Sequence, residues 1–103
     1  MNQKSCALLN FAFIALLLTS LITFPARAAS VTEYVAPTAN SGLGSITAGP
    51  DGALWFTEAT GNKIGRITPG GVITEFPLPT ANSNPGNIVA GPDGNLWFTE
   101  HNP

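Results

Sequence analysis

Three ionisable side chains lie at positions where they could bind a metal ion or act in catalysis. Glu58 and Glu100 each end a Leu-Trp-Phe-Thr-Glu segment, and His101 follows Glu100 directly. Carboxylate oxygens are the ligands that a hard cation such as Mg²⁺ prefers. An imidazole titrates near neutral pH and is therefore suited to act as a general base. We take Glu58 and Glu100 as candidate metal ligands and His101 as a candidate catalytic base.

Each candidate also has a structural interpretation. A glutamate that recurs at the end of both segments could cap a strand, and a single histidine is often only solvated. Trp55 and Trp97 are expected to pack inside the fold rather than stack on a ligand. The aspartates of two Pro-Asp-Gly segments are expected to cap turns. The basic residues Lys63 and Arg66 are expected to be isolated, solvated strand charges.

The composition limits the classes of protein that need to be considered. The 103 residues carry a formal charge of −2, and the pI is near 5.0, so there is no basic surface for nucleic acid. Only 10% of the residues are charged, while Gly and Pro number 11 and 9. This balance argues against a helical bundle and favours an all-β chain with frequent turns.

The first 28 residues have the pattern of a secretory signal peptide. A short polar start with Lys4 precedes an apolar run over residues 7–24, and the small-residue site Ala26-Arg27-Ala28 follows it. We expect cleavage after Ala28, export, and no stable membrane span afterwards. A retained membrane anchor is the alternative, since 18 apolar residues are near the lower limit for spanning a bilayer. Cleavage would leave residues 29–103 without a cysteine.

An internal repeat defines the rest of the chain. Residues 31–61 align without a gap on residues 73–103, at an offset of 42, and 19 of the 31 positions are identical. A period near 40–45 residues with four short strands is typical of a β-propeller blade. The sequence predicts a complete blade over residues 44–78 and a partial second blade over residues 86–103. The apolar Leu54-Trp55-Phe56 run predicts a second strand that is buried on both faces.

Residues 31–34 align with the fourth strand of a blade but precede any other strand. Such a strand is expected to close a propeller ring, and the sequence provides no strand for it to join. A closed propeller needs about 4–8 blades, and this chain contains fewer than two. We therefore expect the N-terminal piece of a longer protein, or the product of a truncated or frameshifted reading frame. Self-assembly of several copies into a ring is the alternative.

The blade sequences resemble those of the virginiamycin B lyase (streptogramin lyase) family. The segment from Gly49 to Glu58 (GPDGALWFTE), the segment from Asn62 to Thr68 (NKIGRIT) and Ile73-Thr74-Glu75-Phe76 carry the resemblance, which covers residues 31–103. It implies a seven-bladed propeller and a magnesium-assisted elimination that opens ester-closed rings of streptogramin B antibiotics. The export signal departs from the intracellular resistance enzymes, and the resemblance places none of the family's catalytic residues on this sequence.

Two classes of function remain open. The intact protein could be an exported lyase acting on a cyclic ester or similar small molecule, and this portion alone would be inactive. It could instead be a non-catalytic propeller whose rim binds a small molecule, glycan or protein. A hydrolytic propeller of the gluconolactonase type is a weaker third hypothesis, because its metal-site motifs are not visible.

Overall fold

The computed structural model describes residues 5–10, as a strand path only, and residues 28–102. These residues contain eight strands and no helix, which confirms the predicted all-β class, and the strands form antiparallel sheets. The strands are β1 (Ser5–Asn10), β2 (Ser30–Val35), β3 (Leu43–Ala48), β4 (Leu54–Glu58), β5 (Lys63–Ile67), β6 (Ile73–Pro77), β7 (Pro85–Ala90) and β8 (Leu96–Glu100).

The complete blade is a four-stranded sheet in the order β3-β4-β5-β6. Its strands follow one another along the chain because short turns reverse the direction between them. In the first turn Gly52 has φ +80°, and in the third Gly71 has φ +88°. These conformations favour glycine, which has no Cβ to clash with the backbone. The turn residues therefore fix the order of the strands from the sequence.

One buried cluster of this blade lies on one face of the sheet. Phe56 and Ile67 are almost fully buried there, and Tyr34 of β2 is among the partly buried residues packed against them. Gly65 lies directly opposite Phe56 in the β4–β5 register. A Cβ at Gly65 would lie 2.2 Å from the Phe56 ring, so the glycine is needed for this close approach.

The second blade contributes the two-stranded sheet β7-β8. It repeats the pairing of β3 with β4, because Ile88 pairs with Phe98 as Ile46 pairs with Phe56. Strand β7 packs against β3 and β4 of the complete blade. Ile88 is thereby buried to 2% exposure.

The prediction that the closing strand has no partner in the chain is wrong. Strand β2 pairs antiparallel with β1, from Ser5 opposite Val35 to Asn10 opposite Ser30. Strand β1 belongs to the segment predicted as a leader, most of whose apolar run lies outside the described residues. Among the residues that are described, no helix is long and apolar enough to cross a membrane.

Burial of the Leu-Trp-Phe segments differs between the two blades. In β4, Phe56 is buried and Trp55 is half-buried, whereas in β8 Trp97 is 59% exposed and Phe98 is 37% exposed. Burial on both faces was predicted for β4 and not for β8. The Trp97 face of β8 is left uncovered within the described part of the chain.

Candidate functional site

A polar cluster lies where β4, β5 and β6 meet the loop after β2. We call Thr38, Glu58, Lys63 and Glu75 the strand-end cluster. Glu58 is the last residue of β4 and pairs with Lys63 in the β4–β5 register. Its side chain is fully buried, and neither carboxylate oxygen has a hydrogen-bond partner among the described residues. An unpaired buried carboxylate is costly, so this position has an unusual electrostatic environment.

Glu75 is the well-satisfied carboxylate of the cluster. The Thr38 backbone N–H donates to its Oε1 at 2.9 Å, and the Thr38 hydroxyl donates to its Oε2 at 2.7 Å. The Lys63 ammonium donates to the same Oε2 at 2.9 Å. The prediction that Lys63 is an isolated charge is therefore wrong, since it forms a partly buried ion pair.

The two carboxyl groups titrate in opposite directions. Burial raises the pKa of Glu58 to about 7, and the neighbouring negative charge of Glu75 adds to that rise, while Lys63 opposes it. Burial would also raise the pKa of Glu75, but hydrogen bonds from Thr38 and Lys63 outweigh burial and lower it to about 2. Glu75 is thus ionised at neutral pH, while Glu58 holds a proton in part of the molecules.

The cluster can hold a proton, but its described residues do not build a magnesium site. Within the described ranges, no three His, Cys, Asp or Glu side chains converge closely enough to hold a metal ion. Glu58 is sealed from solvent, and the ammonium of Lys63 already neutralises Glu75. A metal ion needs accessible oxygen ligands that are free of such a partner. Glu58 therefore has the surroundings of a structural acid.

The other two candidates lie on the surface at the end of β8. Glu100 and His101 are both exposed, and Glu100 pairs with Pro85 across the β7–β8 sheet. The His101 backbone N–H donates to the Ser83 carbonyl at 2.9 Å, which anchors the loop. A Cβ at Gly86 would lie 2.6 Å from His101 Nε2, so the ring lies against that glycine. These two side chains can reach a solvent-borne ligand, unlike Glu58.

The first Pro-Asp-Gly turn behaves as predicted and also has partners that were not predicted. Asp51 Oδ1 accepts hydrogen bonds from the Ala53 N–H at 3.1 Å and the Trp55 indole at 3.0 Å. The Arg66 Nε donates to Asp51 Oδ2 at 2.7 Å, so the prediction that Arg66 is isolated is wrong. The bonds from Trp55 and Arg66 lower the pKa of Asp51 to about 2. The turn cap is confirmed.

Trp55, the β4 residue that donates to the turn aspartate Asp51, also packs against its neighbours. The Trp55 and Phe76 rings stack with centroids 5.6 Å apart and planes 22° apart. The Arg66 guanidinium lies 5.8 Å from the Trp55 ring centroid. Trp55 thus packs among its own blade's side chains, as predicted.

Two residues of this region were missed in the sequence. Glu75 belongs to the Thr-Glu pair that recurs as Thr32-Glu33, and this repetition was the signal available for it. Asn62 has φ 55°, and its amide donates to the Thr80 carbonyl at 2.8 Å. Its Oδ1 accepts the Ser83 N–H and hydroxyl at 2.9 and 2.8 Å. It joins the loop after β4 to the connection between blades.

Comparison with known proteins identifies close sequence similarity to one family. The model of the virginiamycin B lyase family matches residues 20–103. A virginiamycin B lyase of Bacillus licheniformis is 60% identical over 43 residues, which are 42% of this chain and 15% of that protein. One from Saccharopolyspora erythraea is 51% identical over 45 residues, or 44% of this chain and 15% of that protein. The matched part of the chain thus spans about a seventh of the length of these relatives.

Solved structures give the same result. The selenomethionine-substituted virginiamycin B lyase of Staphylococcus aureus has a TM-score of 0.68 and 49% identity, over 69% of this chain and 24% of that chain. A catalytically inactive histidine-to-alanine variant of the S. aureus lyase, solved with quinupristin, has a TM-score of 0.67 and 56% identity over the same shares. The strands described above are therefore similar to one part of a lyase propeller.

Proposed function

Because the chain belongs to the virginiamycin B lyase family, we propose that it forms part of the wall of an exported lyase-type propeller. The intact propeller would open the ester-closed ring of streptogramin B antibiotics or a similar cyclic ester by elimination. The supporting observation is the blade itself, in which residues shared by the two repeats lie in turns, in the core and at strand ends. This portion would supply the scaffold, and its exposed Glu100 and His101 would contribute to the rim.

In this proposal an elimination needs a base that removes a proton from the substrate as the ester oxygen leaves. His101 is accessible to solvent, and its imidazole is a side chain of the kind that serves as a general base. Glu58 is a structural acid in the same proposal, because its carboxyl group is buried below the loop. The described residues do not build a magnesium site, so magnesium dependence would require carboxylates from further blades.

Export is the second part of the proposal. It is supported by the apolar run and the small-residue site that precede β2. The protein would then act outside the cytoplasm, with its ligand arriving from the surroundings of the cell. Cleavage at that site would remove β1, because β1 lies upstream of it.

A chimera tests the proposed function directly. Residues 31–100 would replace the aligned segment of the S. aureus lyase. Opening of the quinupristin ring would be followed by chromatography. We expect a folded chimera that retains ring opening, because the local sequence and backbone are similar. Adding residues 101–102 in the wild-type and His101→Ala forms then measures the contribution of His101, with Asn102→Ala as the matched control.

The outcomes separate the two classes of function. Ring opening by the chimera, lowered by the His101 substitution alone, supports a lyase with a rim contribution from this chain. A folded chimera that binds quinupristin without opening the ring supports the non-catalytic binding propeller instead. A chimera that folds but neither binds nor opens the ring contradicts the proposal.

A further inference from the structure

Asn62, in the loop between β4 and β5, binds the connection between the two blades through its backbone and both ends of its amide. We call residues 78–84 the blade connection. The Asn62 carbonyl accepts the Leu78 N–H at 3.1 Å, and its Nδ2 donates to the Thr80 carbonyl at 2.8 Å. Its Oδ1 accepts the N–H and the hydroxyl of Ser83 at 2.9 and 2.8 Å. One residue of the complete blade thus holds the blade connection at three points.

Burial and backbone conformation make asparagine suited to this position. Ser83 is fully buried, so its two donors would have no ready access to solvent without Asn62. A buried donor that loses its acceptor is destabilising. Asn62 also has φ 55°, a left-handed conformation that asparagine tolerates better than most residues other than glycine. Its amide donates at one atom and accepts at the other, which both sets of bonds require.

Ser83 connects Asn62 to the loop at the end of β8. The Ser83 carbonyl accepts the His101 N–H at 2.9 Å and the Asn102 N–H at 3.0 Å. The side chains of His101 and Asn102 are exposed, whereas their backbone is held by these bonds. Ser83 is therefore bonded on one side to the complete blade and on the other to a surface loop of the second blade.

The complete blade anchors its own loop after β4 in a similar way. The Gly61 N–H donates to the Ser41 carbonyl at 2.8 Å, and Ser41 is the residue that corresponds to Ser83 in the repeat. The position of His101 is occupied there by Ala59. The anchoring thus recurs with the fold, while the side chain that it presents differs. In the second blade the anchored loop presents an imidazole to solvent.

We propose that Asn62 is a positioning residue for residues 101–102, although it lies in the neighbouring blade. It acts through Ser83 and not by its own contact with a substrate. Loss of its amide would leave the β7–β8 pairing intact but would free Ser83, and with it the backbone of His101 and Asn102. This effect on the loop stands by itself, whereas any effect on ring opening rests on the proposed function.

Amide hydrogen exchange in the full 103-residue chain tests the positioning. Exchange would be resolved by residue with mass spectrometry and electron-transfer fragmentation, at one fixed protein concentration. Asn62→Gly keeps the left-handed backbone accessible and removes the side-chain bonds. It should speed exchange of the His101 and Asn102 amides by on the order of tenfold. The Gly91 amide, which donates to the Asn95 carbonyl at the other end of the same sheet, should be unchanged.

Three further variants separate positioning from a general loss of stability. Asn82→Gly is the matched control, because Asn82 also has φ 55° and its side chain is exposed; it should change nothing. Asn62→Asp keeps the acceptor for Ser83 and should retain most of the protection. Ser83→Ala removes only the hydroxyl bond and should give a smaller effect at the same amides.

Three results of the exchange experiment would overturn the proposal. The first is unchanged exchange of the His101 and Asn102 amides in Asn62→Gly. The second is equal acceleration by Asn82→Gly. The third is acceleration that includes the Gly91 amide in both Asn62→Gly and Ser83→Ala, because this would show a general loss of stability.

Ring opening by the chimera with residues 31–102 separates this inference from the proposed function. If His101 takes part in the reaction, Asn62→Gly should lower kcat for quinupristin with little change in KM. The effect should disappear in a His101→Ala background, because a residue that acts through another is not additive with it. Faster loop exchange with no change in ring opening from either substitution would contradict the role of His101 and leave the positioning supported.

Discussion

Burial of a single carboxyl group makes the stability of this blade depend on pH. Glu58 is fully buried beside the ionised Glu75, and its pKa is raised to about 7 from an ordinary value of 4.5. Between those two values the folded state holds a proton that the unfolded state has lost. Stability must therefore fall as the pH rises from about 4.5 to about 7, and then level off.

Replacing this carboxyl group should remove the loss of stability at higher pH. We expect Glu58→Gln to raise the free energy of unfolding above pH 7 by on the order of 1 kcal/mol, and to have little effect near pH 4.5. Urea unfolding followed by tryptophan fluorescence, at one fixed protein concentration, measures the effect. The exposed Glu33 provides the matched control as Glu33→Gln, which should change nothing. A gain that is equal at pH 4.5 and pH 8 would contradict the titration argument.

The lysine of the same cluster acts in the opposite pH range. Glu75 has its pKa lowered to about 2, partly by its bonds to Thr38 and Lys63. Its contribution is complete above pH 4.5 and is lost as the pH falls toward 2. Lys63→Met should therefore lower the urea midpoint at pH 6 and have much less effect at pH 2. A loss of the same size at both pH values would instead indicate lost packing of the lysine stem.

At the scale of the strand, one glycine controls how closely β5 approaches β4. A Cβ at Gly65 would lie 2.2 Å from the buried Phe56 ring, whereas a Cβ at Gly70 meets only the Thr68 hydroxyl at 3.8 Å. We expect Gly65→Ala to cost about 1–3 kcal/mol through overpacking of the core. Gly70→Ala is the matched control and should cause no loss. Equal urea midpoints for the two variants would show that Phe56 can move aside freely.

At the scale of the whole molecule, the blade faces determine whether the chain can stand alone. Propeller blades stack, and a single blade cannot cover its own faces. Large apolar side chains accordingly remain exposed at both ends, among them Ile46, Val89 and Trp97. We expect the 103-residue chain to self-associate and to have no lyase activity on quinupristin. Sedimentation velocity with a ring-opening assay measures both, and a compact monomer that unfolds cooperatively would contradict the first expectation.

The leader prediction also belongs to the whole molecule, because it decides which residues are present after export. A fusion of residues 1–30 to a reporter that works only outside the cytoplasm should be active. Ala26→Phe with Ala28→Phe should block cleavage and leave a membrane-held precursor. Lys4→Gln, which leaves the cleavage site intact, is the control for processing. Equal masses of the cell-bound and exported forms of the unsubstituted fusion would favour the uncleaved anchor.

The sequence by itself determined the repeat, the strands and the turns of this protein. These features depend on residues close together in the chain: Gly52 and Gly71 permit the turns, and Asp51 caps one of them. The candidate site could be predicted only as a set of residue types. The sequence does not show how deeply an ionisable residue such as Glu58 is buried or which groups lie beside it.

Only the tertiary structure decided what surrounds each of those residues. Glu58 and Glu100 end identical Leu-Trp-Phe-Thr-Glu segments, yet one is fully buried and the other is exposed. Ile46 and Ile88 differ in the same way, from 50% to 2% exposure. The reason is that local sequence sets the path of each strand, whereas burial and pKa depend on which strands and blades lie beside it. The two repeats therefore share one backbone fold, because their local sequences are alike. Equivalent residues still differ in burial and pKa, because the strands beside each repeat differ.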